Sequence, residues 1–136
     1  KLKDVQYKLI YKLDVFRELI GLPVKLLLNG LTTGDHVAVW HKKGLAVDIT
    51  IRGEIDLFEA IKSAWVAGFR GVGIYWNGKA YSFHLDLRGA FSLWKAVKDK
   101  PIGTITNTKN GKVTKIETGK WIYTSIYVDP KTEGSI

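Results

Sequence analysis

The strongest constraint on the fold is a capped helix followed by two apolar strands around a tight turn. Asp56 is typical of a helix N-cap, and Gly68 is typical of the residue that ends a helix. Asn77-Gly78 then separates the apolar segments 72–76 and 80–87, which predicts a β-hairpin with a type I′ turn. A helix that leads into a hairpin predicts an α+β fold, with a small, mainly antiparallel sheet and flanking helices.

The capped helix is predicted to supply scaffold and not chemistry. Glu59 stands three residues after Asp56, which predicts a capping box. Apolar residues recur at helical spacing and predict a stripe buried in the core, formed by Leu57, Phe58, Ile61, Ala64 and Trp65.

The segments on either side of this unit give weaker signals. The pattern predicts a helix over 11–20 that ends at Gly21, a strand over 24–28, a short amphipathic helix over 91–98 and a strand over 121–128. Asn110-Gly111 predicts a second hairpin turn. We expect residues 101–136 to be a β-rich extension of the same domain, ending in a frayed tail over 129–135. A small basic, aromatic surface that grips a partner is the alternative for this extension.

Composition excludes several classes of protein. A chain of 136 residues with 46% hydrophobic content forms one domain with a real core. It contains no cysteine, so any metal must be held by nitrogen and oxygen. No apolar run approaches about 18 residues and the first residues lack signal-peptide features, so we expect neither a membrane span nor a leader. The net charge of +8 favours polyanionic partners, but no nucleic-acid motif accompanies it.

Three residues form a candidate metal triad. His41 and Asp48 stand seven residues apart, and His84 follows on a later predicted strand. Zinc binds imidazole nitrogen and carboxylate oxygen at about 2.0–2.2 Å, and catalytic sites keep three protein ligands. Taken singly, His41 also fits a structural histidine, and Asp48 also fits a turn or capping carboxylate. His36 lies in a Gly/Thr-rich loop, either as a further ligand or catalytic group or as a solvated side chain.

The strand that carries His84 also carries charged residues on the same face. Alternation places His84, Asp86 and Arg88 together, with the apolar residues between them on the other face. Asp86 is therefore a candidate either for orienting a histidine ligand or for acting as general base. A surface ion pair between Asp86 and Arg88 on an edge strand is the alternative.

Four motifs in order resemble one family. They are H-x-x-G-x-A-x-D-I from His41, a helix ending Ala67-Gly68-Phe69, Gly71-Val72-Gly73-Ile74-Tyr75, and Phe83-His84-Leu85-Asp86-Leu87-Arg88-Gly89. This pattern resembles the zinc D-Ala-D-Ala carboxypeptidases, a family that includes wall-remodelling carboxypeptidases and phage endolysins and is related to the hedgehog signalling domain. The resemblance covers residues 10 to 95 approximately.

The resemblance implies a fold, a metal and a substrate. It makes residues 1–100 a zinc peptidase-like domain with a hedgehog or D-Ala-D-Ala peptidase-like fold, and it makes His41, Asp48 and His84 the zinc ligands. It implies hydrolysis of peptidoglycan peptides, commonly next to a D-amino acid, and we expect the chain to be a monomer. The implied location is extracellular, periplasmic, in the cell wall, or in the host of a phage.

The chain departs from the family at two points. Tyr81 stands where many members carry an acidic general base, and residues 28–34 lack the arginine that helps to hold substrate. We therefore expect Asp86 to act as base or orienter, and Tyr81 or Arg88 to stabilise charge or hold a substrate carboxylate. The departures also leave open a second function, a non-catalytic zinc module that binds wall peptide or a protein partner.

Overall fold

The structure, a computed structural model, describes residues 6–27, 40–41, 43–99, 104–109, 112–117 and 119–129, and for 104–109 and 112–117 it describes the backbone. In chain order the elements are α1 (Tyr7–Ile20), β1 (Val24–Leu26), β2 (Ala46–Ile51), α2 (Leu57–Ala67), β3 (Gly71–Trp76), β4 (Tyr81–Asp86), β5 (Ser92–Lys98), β6 (Thr104–Lys109), β7 (Lys112–Glu117) and β8 (Trp121–Val128). The predicted α+β class is confirmed. Neither of these helices is long and apolar enough to cross a membrane.

The main sheet has six strands in the order β1-β2-β4-β3-β5-β8. Its neighbouring strands pair antiparallel except β3 and β5, which are parallel. The prediction of a mainly antiparallel sheet is therefore wrong, because the sheet is mixed. The reason is the short connection after β4, which crosses the start of β3 so that the Ser92 N–H donates to the Arg70 carbonyl at 2.7 Å. This connection starts β5 at the same end of the sheet as β3.

The helix predicted over 91–98 is also wrong, because this segment forms β5. Its backbone pairs with β3 on one side and with β8 on the other. A strand between two partners satisfies its N–H and C=O groups through long-range pairing, which overrides a weak local helical pattern. Trp94 and Ala96 consequently share the sheet face that carries His84, since they lie level with Gly73 and Tyr75 of β3.

Both helices pack on one face of the sheet and enclose the core. The fully or nearly fully buried apolar side chains include Leu9, Phe16, Val47, Ile49, Ala60, Ala64, Phe69, Val72, Ile74, Phe83 and Leu85. Phe16 of α1 meets Phe69 edge to face, with 6.4 Å between ring centroids. The helix predicted over 11–20 is confirmed, although it begins at Tyr7. It ends at Gly21, whose positive φ of 71° suits glycine.

The buried face of α2 differs from the predicted stripe. Phe58 is 69% exposed and Trp65 is 49% exposed, so neither belongs to the core. The helix instead turns small residues inward, namely Ala60, Ser63, Ala64 and Ala67. Small side chains allow α2 to approach the sheet and α1 closely, which leaves its two large aromatic residues outside. Trp65 is covered in part by the guanidinium of Arg70, 4.3 Å from the ring centroid.

The predicted N-cap at Asp56, the helix end at Gly68 and the two hairpin strands are confirmed. The Asp56 carboxylate accepts the Phe58 N–H at 3.0 Å, and Gly68 has the left-handed conformation that ends the helix. The strands of the hairpin meet at the pair Trp76–Tyr81. Asn77 occupies the first position of the turn, rather than a central one, and its side chain accepts the N–H groups of Lys79 and Ala80.

The C-terminal strands extend the fold. β8 adds to the edge of the main sheet beside β5, as predicted, while β6 and β7 pair antiparallel with each other. Asp129 continues the pairing through its N–H, which donates to the Phe91 carbonyl. The predicted turn at 110–111, the rest of the predicted tail, His36 and the loop 28–34 lie outside the described residues.

Candidate metal centre

The candidate site lies on the sheet face opposite the helices. Asp48 of β2 and His84 of β4 are directly opposite each other in the antiparallel pair. Residues opposite each other in a sheet point to the same face, so their side chains meet. Ala46 and Asp86 form the neighbouring pair two residues along on the same face.

A tight turn brings His41 to the same place. The Gly44 N–H donates to the His41 carbonyl, and the Leu45 N–H donates to the Trp40 carbonyl, each at 3.0 Å. Gly44 adopts a φ of 73°, a conformation that side chains other than glycine rarely adopt. The turn therefore reverses the chain between His41 and β2. The glycine of the H-x-x-G motif is explained by this geometry.

Three possible metal-ligand atoms converge from these elements. Asp48 Oδ1 lies 3.2 Å from His84 Nδ1 and 3.4 Å from His41 Nε2. One donor atom from each residue lies within 4.8 Å of the others, close enough to hold one metal ion. The imidazoles are almost fully buried, and the Asp48 side chain is 14% exposed. The structure thus brings together the three residues predicted as ligands.

His84 and Asp48 shift each other's pKa values towards the charged forms. Burial would raise the pKa of Asp48, but hydrogen bonds and attraction from His41 and His84 lower it to about 2. Burial would likewise lower the pKa of His84, but the carboxylates of Asp48 and Asp86 raise it above its ordinary value. Asp48 is therefore ionised at neutral pH and ready to bind a cation. A metal must displace the proton that His84 holds on Nδ1 in its charged form.

Asp86 is bound to His84 from the other side of the imidazole. Its Oδ2 lies 2.7 Å from His84 Nε2, and Arg88 donates to both carboxylate oxygens, from Nε at 2.8 Å and from a terminal nitrogen at 2.6 Å. The Arg88 backbone N–H adds a further bond at 3.1 Å. Asp86 is fully buried on an interior strand, so the alternative of a surface ion pair on an edge strand is wrong.

This arrangement favours the orienting role for Asp86. Burial would raise its pKa, but Arg88 and then His84 lower it, so the carboxylate stays ionised. When His84 donates from Nε2 to Asp86, its Nδ1 presents a lone pair towards Asp48 and His41. A carboxylate that already accepts bonds from an imidazole and a guanidinium is a poor position for a general base.

Arg88 is held by two aromatic rings. Its guanidinium carbon lies 5.1 Å from the Trp94 ring centroid and 5.8 Å from that of Trp40. The side chain is 20% exposed, and its donors are directed at Asp86. Arg88 therefore contributes to the site through Asp86.

Tyr81 was predicted as a site residue, but its side chain does not point towards the candidate ligands. It stands three residues before His84 on the same strand, so the two side chains point to opposite faces of the sheet. Its ring packs against Trp76 with 4.6 Å between centroids. Residues three positions apart lie on the same face of a helix, but they point to opposite faces of a strand.

Sequence reasoning missed Trp94 and the purpose of two glycines. Trp94 approaches the His84 ring to 5.2 Å, and its Nε1–H donates to the Tyr75 hydroxyl at 3.2 Å. Gly73 lies beside His84, and a Cβ there would stand 2.6 Å from the Trp94 ring. Gly71 lies beside Asp86, and a Cβ there would overlap its carboxylate. The pattern Gly-x-Gly in a strand is the signal for such a close approach.

Comparisons with known proteins add no relative. No protein-family model, no curated protein and no solved structure matches this chain.

Proposed function

We propose that this chain is a zinc-dependent peptidase of the D-Ala-D-Ala carboxypeptidase type, with a hedgehog-like domain, that hydrolyses peptides of bacterial peptidoglycan. The observation that carries the proposal is the convergence of His41 Nε2, Asp48 Oδ1 and His84 Nδ1. The order of motifs that surrounds these residues in the sequence supports the same family.

The donor set fits zinc. Two imidazoles and one carboxylate are ligands that zinc accepts, and a tetrahedral site with bonds of about 2.0–2.2 Å has ligand atoms about 3.3–3.6 Å apart. The 3.4 Å separation at Asp48 Oδ1 falls in that range, the 3.2 Å separation is slightly shorter, and the two imidazole nitrogens lie within 4.8 Å of each other. Three protein ligands leave one position for chemistry.

The protein's own residues prepare the site. A zinc ion held by His41, Asp48 and His84 would supply Lewis acidity, which polarises a carbonyl and lowers the pKa of bound water. Asp48 contributes negative charge at neutral pH, Asp86 fixes the ring orientation of His84, and Arg88 holds Asp86. Arg88 and Tyr81, first expected to touch substrate, have no such role in this proposal.

The net charge fits the proposed partner. Anionic wall polymers attract a chain of +8, so the same charge would bring the enzyme to its substrate. A location in the wall, in the periplasm, outside the cell or in a phage host follows from the substrate.

A non-catalytic zinc module is the second candidate. It is favoured by the positions of the two candidate catalytic side chains. Asp86 is already bonded to His84 and Arg88, and Tyr81 points to the opposite face of the sheet, so neither is well placed to act as general base. Such a site would hold zinc and bind a wall peptide or protein partner without turnover.

The test measures zinc and hydrolysis together. Zinc per chain is determined for the wild type, His84→Ala, Asp48→Asn and the control Asp14→Asn, which changes an exposed aspartate on α1. Each protein is then incubated with purified peptidoglycan and with peptides ending in D-Ala-D-Ala, and products are identified by mass spectrometry.

We expect one zinc and released fragments for the wild type and the control, and neither for the two site variants. Zinc together with binding to the purified peptidoglycan, but without released fragments, would support the second candidate. Zinc retained by the double variant His41→Ala and His84→Ala would overturn the ligand assignment.

A further inference from the structure

A cavity lies at the end of β4 away from Asp86, on the sheet face opposite His84. Its volume is about 830 Å³, within the range of about 300–1,000 Å³ typical of small-molecule sites. The apolar part of its lining includes the buried Phe83 and the half-buried Ile51. The loop that leads into α2, residues 53–56, forms another part.

Two aromatic rings form one wall of this cavity. Trp76 and Tyr81 are directly opposite each other in the hairpin, and their rings lie 4.6 Å apart at 47°. Tyr81 remains 40% exposed although the neighbouring Phe83 is buried. Adjacent rings of this kind offer a broad apolar surface with polar atoms at its margin.

Charged residues of both signs line the same cavity. Glu54 and Asp56 contribute carboxylates, and Lys79 contributes an amine from the hairpin turn. Two carboxylates beside one amine disfavour phosphate and other strong anions. A wholly apolar ligand would leave these polar groups without hydrogen bonds that water supplies.

We propose that this cavity is a saccharide-binding site. One face of a sugar ring presents C–H groups that pack on an aromatic ring, while its hydroxyls donate to carboxylates and accept from an amine. Trp76 and Tyr81 provide the stacking surface, and Glu54 and Lys79 provide the two kinds of polar partner.

The cavity lies on the sheet face opposite the metal centre, and none of the three candidate ligands lines it. It is joined to the proposed function by one relation, since peptidoglycan consists of glycan strands that carry peptides. A domain that binds glycan on one face would hold the attached peptide near the other.

The experiment titrates metal-free protein, kept in chelator, with a β-1,4-linked tetramer of N-acetylglucosamine, with a β-1,4-linked tetramer of glucose and with an unrelated tetrapeptide. Binding is followed by calorimetry and tryptophan fluorescence. The variants are Trp76→Ala, Tyr81→Ala and Glu54→Gln. The control is Trp65→Ala, which removes an exposed tryptophan of α2 that does not line the cavity.

We expect saturable binding of at least one oligosaccharide, weakened about tenfold or more by each cavity variant and unchanged by Trp65→Ala. Thermal melting identifies any variant that fails to fold, and Glu54→Gln, an exposed change, then carries the test.

Three results would overturn the proposal: no saturable binding of either oligosaccharide, equal weakening by Trp65→Ala, or equal binding of the tetrapeptide. Because zinc is absent throughout, none of them bears on the peptidase proposal.

Discussion

The Asp86 carboxylate lies 2.7 Å from His84 Nε2, and the two residues stand two positions apart on β4, so their side chains point to the same face of the sheet. Both side chains are fully buried on one face of the sheet. Gly71 of β3 is paired with Asp86 of β4, and because glycine has no side chain it leaves the space that the Asp86 carboxylate occupies. The orientation of His84 therefore depends on a strand that contributes no ligand of its own.

Replacing Asp86 tests its orienting role. We expect Asp86→Asn to weaken zinc binding about 10–100-fold, because the amide no longer attracts the His84 N–H as a carboxylate does. Competition with a chromophoric chelator measures this affinity. Asp14→Asn on the exposed face of α1 should leave it unchanged. Equal zinc affinity in the wild type and Asp86→Asn would show that Asp86 does not orient His84 for metal binding.

Acid should destabilise the metal-free protein through Asp48. Its pKa is about 2 in the folded protein and about 3.8 when unfolded, so its contribution is complete above 3.8 and is lost as pH falls towards 2. Urea unfolding between about pH 2 and pH 5 measures this slope. Asp48→Asn should flatten it in part, with the remainder due to groups such as Asp86. An unchanged slope would contradict the ionised cluster.

His84 should give the opposite dependence. Because its folded pKa is raised, its contribution in the metal-free protein is complete below its ordinary value near 6.5 and is lost as pH rises through the raised pKa. Zinc affinity should increase over that same rise, since the metal replaces the proton. Zinc titrations across this range test the prediction, and a flat affinity profile would contradict it.

Gly73 should tolerate no side chain. We expect Gly73→Ala to cost about 1–3 kcal/mol of unfolding free energy, because a Cβ would press on the Trp94 ring. The displaced Trp94 should change the fluorescence spectrum. Gly89→Ala is the matched control, since nothing lies within 4 Å of the position that a Cβ would take there, and it should cost less than about 0.5 kcal/mol. Similar costs for both changes would refute the close packing.

The two phenylalanines of the helices should differ sharply. Phe16→Ala removes a ring that is 1% exposed and should cost about 3–5 kcal/mol. Phe58→Ala removes a ring that is 69% exposed and should cost less than about 0.5 kcal/mol. Chemical denaturation measures both. A large loss at Phe58 would restore the predicted stripe of α2.

Local signals in the sequence were sufficient for much of the scaffold. Asp56 and Gly68 marked the two ends of α2 correctly, because capping involves groups within one turn of the helix. The hairpin strands followed from two apolar segments around Asn77-Gly78. The three candidate ligands were visible as a spaced motif, and β2 and β4 bring two of them face to face.

Only the tertiary structure decided which partner each segment meets. Residues 92–98 became β5 because β3 and β8 satisfy its backbone on both sides, a contact between distant parts of the chain. Asp86 became a buried partner of His84 because β4 lies inside the sheet, and Tyr81 was separated from His84 because side chains alternate along a strand. Short-range spacing determines what neighbours along the chain can form, whereas burial and face depend on packing between elements.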